Sequence, residues 1–229
     1  MTADFMPRLD ILPPAQRRLW DELAAVPEEF VLYGGTALAL HLGHRQSVDF
    51  DFFGDRLLDP ALLAPVIPFL AAAIVTQRAP NTLSCTVDRG GVVQLSFFGL
   101  SGLPRLLPPL IAPDIGLRVA SLVDLAGTKA SVLQVRAEAK DYLDIDALLT
   151  EGSIDLPTAL AAGRAIYGTP FNPQNTLKAL SYFEDGNLHP LPQPVRDRLA
   201  RAAREVDLDR LPVITVAGHG ADHDPDGSR

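Results

Sequence analysis

Between Val48 and Gly54 the chain reads VDFDFFG, and the opening of that run alternates strictly. Val48, Phe50 and Phe52 fall on one parity, Asp49 and Asp51 on the other. Successive side chains of a β-strand point to opposite faces, so such a run has to fold as a half-buried strand, apolar side inward and acids outward. Asp is a poor strand residue, and two acids flanking one Phe are costly without a task for them. Just upstream, the apolar run FVLY (30–33) stops at Gly34-Gly35, which predicts a buried strand entering a tight turn. TALALHL follows with high helical propensity and ends at Gly43, a helix C-cap.

The rest of the chain divides into an extended half and a helical half. A first amphipathic helix is expected from Pro14 to Ala25, burying Leu19, Trp20 and Leu23. Asp59-Pro60 opens a short helix by cap and first-position preference. AIVTQ, TLSCTVD and VVQLSFF then read as strands, the last two hinged on Arg89-Gly90-Gly91, and Cys85 alternates with Leu83 and Val87 as core. A Pro- and Gly-rich stretch at 101–116 marks the expected junction between a first domain, 1–116, and a helical domain, 117–213. Ser121 with Asp124 forms a capping box for a helix expected to reach Arg136. KDYLDIDALL, Leu156-Pro157, Asn172-Pro173 and PVRDRLARAAREV supply further helices, and 214–229 reads as a disordered tail.

Composition restricts the function classes. The 20 Lys+Arg against 28 Asp+Glu leave a net charge of −8, which argues against a protein that coats nucleic acid electrostatically. The single cysteine excludes an internal disulfide and a Cys-based zinc cluster. No apolar run approaches ~18 residues and the N-terminus lacks a signal pattern, so a cytoplasmic protein without a membrane span is expected.

The chemistry concentrates at the glycine pair and the Asp-x-Asp. Two carboxylates two residues apart on a strand are roughly 6.6–6.8 Å apart at the Cα and repel unless a cation sits between them. Mg²⁺ suits such a pair, because it takes carboxylate oxygens together with substrate phosphates. Glycines at a strand-to-helix turn free backbone N–H groups for phosphate oxygens. Together these describe a grip on a nucleoside triphosphate tail.

YGGTALALHLGHRQSVDFDFF resembles the first signature of the AbiEii/AbiGii nucleotidyltransferase toxins: a glycine pair, a spacer of about a dozen residues, then Asp-x-Asp. AGTKASVLQVRAEAKDYLDIDALL (126–149) resembles the family's Lys…Arg and Lys-Asp…Asp block, and FNPQNTLKALSYFEDG is also similar to its members. The resemblance implies a nucleotidyltransferase-like α/β (α+β) fold, with a small mixed sheet flanked by helices and a helical C-terminal half. It implies metal-dependent transfer of a nucleotidyl group from an NTP, in some relatives to the acceptor end of tRNA. A toxin role restrained by an antitoxin is implied too.

On this reading Asp49 and Asp51 hold Mg²⁺, and Gly34, Gly35, Thr36, Arg45 and Ser47 line the phosphates. On a single helix Lys129 and Arg136, seven apart, share a face and meet the triphosphate or the leaving pyrophosphate. Asp141 and Asp144, three apart, are structural salt-bridge partners, or one of them, by the family reading Asp144, is an active-site acid or orients Lys129 or Arg136. Arg45, Ser47, His41 and His44 are further phosphate candidates, and a zinc site on the two histidines lacks a third ligand. Arg196, Arg198, Arg201 and Arg204 form an RNA-facing stripe or a solvated face. One departure stands out: many polymerase-type nucleotidyltransferases place a third carboxylate on a neighbouring strand, and here VVQLSFF offers only Gln94 and Ser96. An interaction module that binds nucleotide with a lapsed active site is therefore the alternative.

Overall fold

The computed structural model describes residues 5–216. Its centre is a seven-stranded mixed sheet of β1 (Phe30–Tyr33), β2 (Asp49–Gly54), β3 (Ile74–Ala79), β4 (Thr82–Asp88), β5 (Val92–Gly99), β6 (Leu110–Ile111) and β7 (Arg118–Val119), in the spatial order β3-β4-β5-β2-β1-β7-β6. β2 lies between β1, to which it is antiparallel, and β5, to which it is parallel. That register sets Asp51 opposite Tyr33 on one side and Ser96 on the other. The strand carrying the acids is therefore interior to the sheet.

The inward parity of β2 behaves as the alternation requires at Phe50 and Phe52, both fully buried. Phe52 stacks on Phe97 of β5 at 5.0 Å, and Phe30 meets Phe97 edge-on at 5.4 Å. Burying each such ring contributes about 1.5–3 kcal/mol before entropy is charged against it. Cys85 is buried on the same side, and burial pushes its thiol up to about 11. Val48 departs from the expectation. It is 61% exposed, because ladder pairing begins only at Asp49 and the residue before it has left the sheet.

The described residues hold eight α-helices: α1 (Pro14–Leu19), α2 (Gly34–Leu42), α3 (Pro60–Leu63), α4 (Leu122–Val132), α5 (Ala139–Thr150), α6 (Leu156–Tyr167), α7 (Pro173–Ala179) and α8 (Gln193–Glu205). The first is shorter than its sequence suggests, since from Trp20 to Ala25 the backbone tightens into a 3₁₀ turn. Leu19, Trp20 and Leu23 are nevertheless all buried. Asp59, Ser121, Asp155 and Asn172 cap the helices that follow them through side-chain oxygens. The Ser121 hydroxyl also donates to the Asp124 carboxylate, which accepts from the Leu106 backbone N–H as well, so the Pro-rich stretch is tied to the start of α4.

The expected helix from 121 to 136 stops early. Its last regular residue is Val132, and Gln134 and Val135 close i→i−3 turns instead. α4 crosses α6 at very short range, with Gly127 packed on the backbone of Ala162 and Gly163. No helix among the described residues is long and apolar enough to cross a membrane. From residue 217 on, the expected tail lies outside the described residues.

Candidate active site

Gly34 closes β1 and opens α2 with φ at +73°, a left-handed conformation that costs glycine nothing. A Cβ at Gly34 would lie 2.6 Å from Asp51 Oδ2, and one at Gly35 would lie 2.7 Å from Arg45 Nη2 and 2.8 Å from Ser47 Oγ. The absence of side chains at the turn is thus what lets an acid, a guanidinium and a hydroxyl converge on it. All five residues line one cavity of about 650 Å³, together with Asp49, Lys129, Arg136 and Lys140.

Asp49 and Asp51 stand on the same face of β2, toward the turn. Asp49 Oδ1 is buried without a hydrogen-bond partner. Burial, and then the charge of Asp49, push the Asp51 carboxyl up to about 6, against the opposing pull of Lys129, Lys140 and Arg136. An orphaned carboxylate oxygen beside a second, electrostatically crowded carboxylate is a donor set that fits a divalent cation.

The cations are held from beneath by two acids of α5. Asp144 is fully buried and receives Arg45 through two bonds, Nε to Oδ1 at 2.7 Å and Nη2 to Oδ2 at 2.8 Å. His44 Nε2 lies 2.8 Å from Asp144 Oδ1, and Lys129 Nζ is 2.5 Å from Oδ2. Burial opposes ionisation of Asp144, but His44, Lys129 and Arg45 together outweigh it and hold the carboxyl far below the usual range. Asp141 accepts from Lys129 at 2.9 Å and from Arg136 Nε at 2.7 Å. Burial opposes its ionisation too, and Arg136 and Lys129 prevail and lower it.

Most of the sequence candidates meet here, with two amendments. Of the alternatives open for Asp141 and Asp144, the structure holds the salt-bridging one: both are fully buried, absent from the cavity lining, and paired with Lys129, Arg136 and Arg45. Lys129 and Arg136 do not share one helical face, since α4 ends between them, and they converge through Asp141. Thr36 does not line the cavity: it is 1% exposed and its hydroxyl donates to the Asp49 carbonyl, fastening α2 to β2.

His41 Nε2 is 2.9 Å from the Ala120 carbonyl and His44 is engaged by Asp144, so the two rings serve separate partners. Among the described residues no group of three or more His, Cys, Asp or Glu is arranged around a metal position. Ser96 stands opposite Asp51, its hydroxyl 3.1 Å from that of Ser84. Of the late arginines, Arg198 pairs with Asp146 and Arg196 donates to the carbonyls of Leu188, His189 and Leu191.

Sequence reasoning overlooked the apolar part of the cavity, to which Tyr33, Phe53, Phe98, Leu100, Leu103 and Tyr167 contribute one stretch and Val48, Val132 and Val135 further patches. The doubled aromatics Phe52-Phe53 and Phe97-Phe98 were the available signal, since one ring of each pair must face away from the core.

A model of the family described as nucleotidyl transferase AbiEii toxin, type IV toxin–antitoxin system, matches residues 18–214. The chain belongs to the AbiEii family. An uncharacterized protein of Aquifex aeolicus (strain VF5) is 31% identical over 159 residues, covering 69% of this chain and 75% of that protein. Among solved structures, MenT4, a nucleotidyltransferase toxin from Mycobacterium tuberculosis H37Rv, superposes with a TM-score of 0.58 at 15% identity, over 85% of this chain and 83% of its own. A protein from H. pylori described as a candidate nucleotidyltransferase gives 0.50 at 19%, over 82% and 90%. At those identities the two structures establish the fold. The glycine turn, the Asp-x-Asp strand and the Lys129 block thus belong to an AbiEii nucleotidyltransferase fold with a mixed sheet and a helical second half.

Proposed function

We propose that this AbiEii protein is a catalytically competent toxin that transfers a nucleotidyl group from an NTP to an acceptor oxygen, with RNA, specifically tRNA, as the acceptor and a cognate antitoxin as its restraint. One observation supports this most: Asp49, whose buried Oδ1 has no partner, and Asp51, whose carboxylate stands against the glycine turn, line one cavity together with Lys129, Arg136 and Lys140.

Asp49 and Asp51 would hold Mg²⁺, which when bound polarises the α-phosphate and offsets the charge of the triphosphate. Gly35 and Ser47 supply close-approach hydrogen-bonding groups for the phosphate oxygens, with the N-terminus of α2 behind them. Lys129 and Arg136, kept in place by Asp141, stand where negative charge collects as pyrophosphate departs. The acceptor oxygen forms its bond to the α-phosphorus as the bond to the bridging oxygen breaks, and its proton passes to water. Arg45 is held against Asp144 by two parallel bonds that would be lost together if it swung away.

The test is incubation with total RNA and each α-labelled NTP in turn. Label should enter an RNA band, pyrophosphate should be released, and Asp49→Asn should abolish both. Ser96, standing where a third strand carboxylate is common in polymerase-type enzymes, favours the second reading, a nucleotide-binding module with a lapsed site. Magnesium-dependent NTP binding without pyrophosphate release would establish that module and refute the enzyme.

A further inference from the structure

The acid-bearing face of β2 continues past its acids. Residues two apart share a face, so Asp49, Asp51 and Phe53 stand in a row, with Ser47 at the opposite end of the same cavity. The cavity changes character along this line. At the Ser47 end Gly35 meets Arg45, and Arg45 and Lys129 share Asp144, so this end carries a backbone N–H and two cations set on buried carboxylates. At the other end Phe53 stacks on Phe98 at 5.0 Å with 29° between planes, and Tyr33 meets Phe53 edge-on at 5.2 Å. Leu100, Leu103 and Tyr167 close that end. Phe53 and Phe98 lie on the opposite face of the sheet from the buried Phe52 and Phe97. Phe53 touches the core through Tyr33, yet both rings stay half-buried and keep part of their surface open to the cavity. Half-covered rings in a concave site, beside a few convergent charged groups, are typical of a ligand surface.

We infer that this aromatic end receives the nucleobase of the donor nucleotide, which lies along β2 with its triphosphate toward Ser47 and its base against Phe53 and Phe98. The inference rests on the nucleotidyltransferase reading and gives it a direction. The donor is one continuous sequence of groups, from triphosphate through α-phosphate and pentose to a planar ring. The cavity presents anion-binding groups, the acid pair and an aromatic wall in that same order. Asp51 and Phe53 are roughly 6.6–6.8 Å apart at the Cα, about the room one pentose needs. An acceptor, by contrast, has only to bring one oxygen to the α-phosphorus and does not account for a cavity joined end to end. Stacking on phenylalanine accepts any base, since every base has a π face.

The test compares binding of the four NTPs and of inorganic tripolyphosphate, with Mg²⁺, to the full chain and to Phe98→Leu and Phe98→Trp. The wild type should bind NTPs more tightly than tripolyphosphate. Phe98→Leu, which keeps the side chain apolar but removes the ring, should weaken NTP binding roughly tenfold and leave tripolyphosphate binding unchanged. The unchanged arm also reports that the variant is folded. Phe98→Trp should retain NTP binding or tighten it. Equal affinity of the wild type for NTP and tripolyphosphate overturns the base site and leaves the enzyme reading intact. Phe98→Leu with unaltered NTP binding but a raised KM for RNA also overturns it, by giving the rings to the acceptor. A wild type that binds neither probe overturns the nucleotidyltransferase reading, and the base site falls with it.

Discussion

The carboxylate of Asp51 occupies the space that a side chain on Gly34 would need, its Oδ2 lying 2.6 Å from where that residue's Cβ would sit. The turn and the acid strand are therefore one steric unit. Gly34→Ala should act twice, through the left-handed φ of +73° and through the collision with Asp51. The backbone cost alone is roughly 1–2 kcal/mol. Chemical denaturation should show at least that loss, and NTP titration should show binding reduced by more than the stability change explains. An alanine variant with wild-type NTP affinity would show that the turn and Asp51 act independently.

Asp144 carries more of the site's architecture than either acid that faces the cavity. It is the shared partner of His44, Arg45 and Lys129, all at 2.8 Å or less and all on a carboxylate with no exposure. Taking one partner out of a buried charge network costs roughly 3–5 kcal/mol, because the remaining charges stay desolvated. Asp144→Asn should lose stability on that order in urea unfolding. Asp141→Asn should lose less, since its partner Arg136 is 43% exposed on its side chain and can turn to water. Equal losses for the two variants would contradict this ranking.

The crowding at Asp51 gives stability a pH dependence of definite sign. Its carboxyl is raised from 3.8 to about 6, so between those values the folded protein holds a proton that the unfolded chain has released. That contribution is fully present below about pH 4 and is lost as pH rises through about 6. A two-unit rise corresponds to about 2–3 kcal/mol, reduced where water reaches the group. Asp51→Asn should therefore be more stable than wild type at pH 7.5, with the difference vanishing near pH 4. Thermal unfolding at both pH values checks it, and a variant no more stable at pH 7.5 would mean that Asp51 is not strained. Activity should be lost in the same variant, the usual exchange between stability and function at a site.

What was legible in the chain was local. The FVLY run, the glycine pair, the Phe50 and Phe52 alternation, the caps at Asp59 and Ser121 and the helix starts at Leu156-Pro157 and Asn172-Pro173 each depend on neighbours a few residues away. The misreadings came from what lies beyond that range. Val48 continues the alternation in the sequence, but a strand exists only where a partner pairs with it, and β5 begins its pairing at Asp49. For Asp141 and Asp144 the spacing left two roles open, salt bridging or the active site, and shows only that they share a face of α5. Burial of both beneath Lys129, Arg45 and His44 depends on α2, α4 and α5 meeting, which no single segment encodes. Likewise Phe53 and Phe98 become one wall only because β2 and β5 pair in parallel.

Thr36 separates local suggestion from actual role and can be tested cleanly. Its position after a glycine pair suggests a phosphate ligand, yet its hydroxyl donates to the backbone carbonyl of Asp49 and its side chain is 1% exposed. Thr36→Val would leave that carbonyl short of a buried donor, at a cost of about 1–3 kcal/mol. Because the carbonyl belongs to the residue whose Oδ1 is unpartnered, the carboxylate should shift with it and turnover should fall. Thr36→Ser, which restores the donor and removes only a methyl group, should recover most of both. Affinity for tripolyphosphate should stay near wild type in Thr36→Val, because no phosphate contact is removed. A variant that keeps full stability but loses tripolyphosphate affinity would return this hydroxyl to the phosphates.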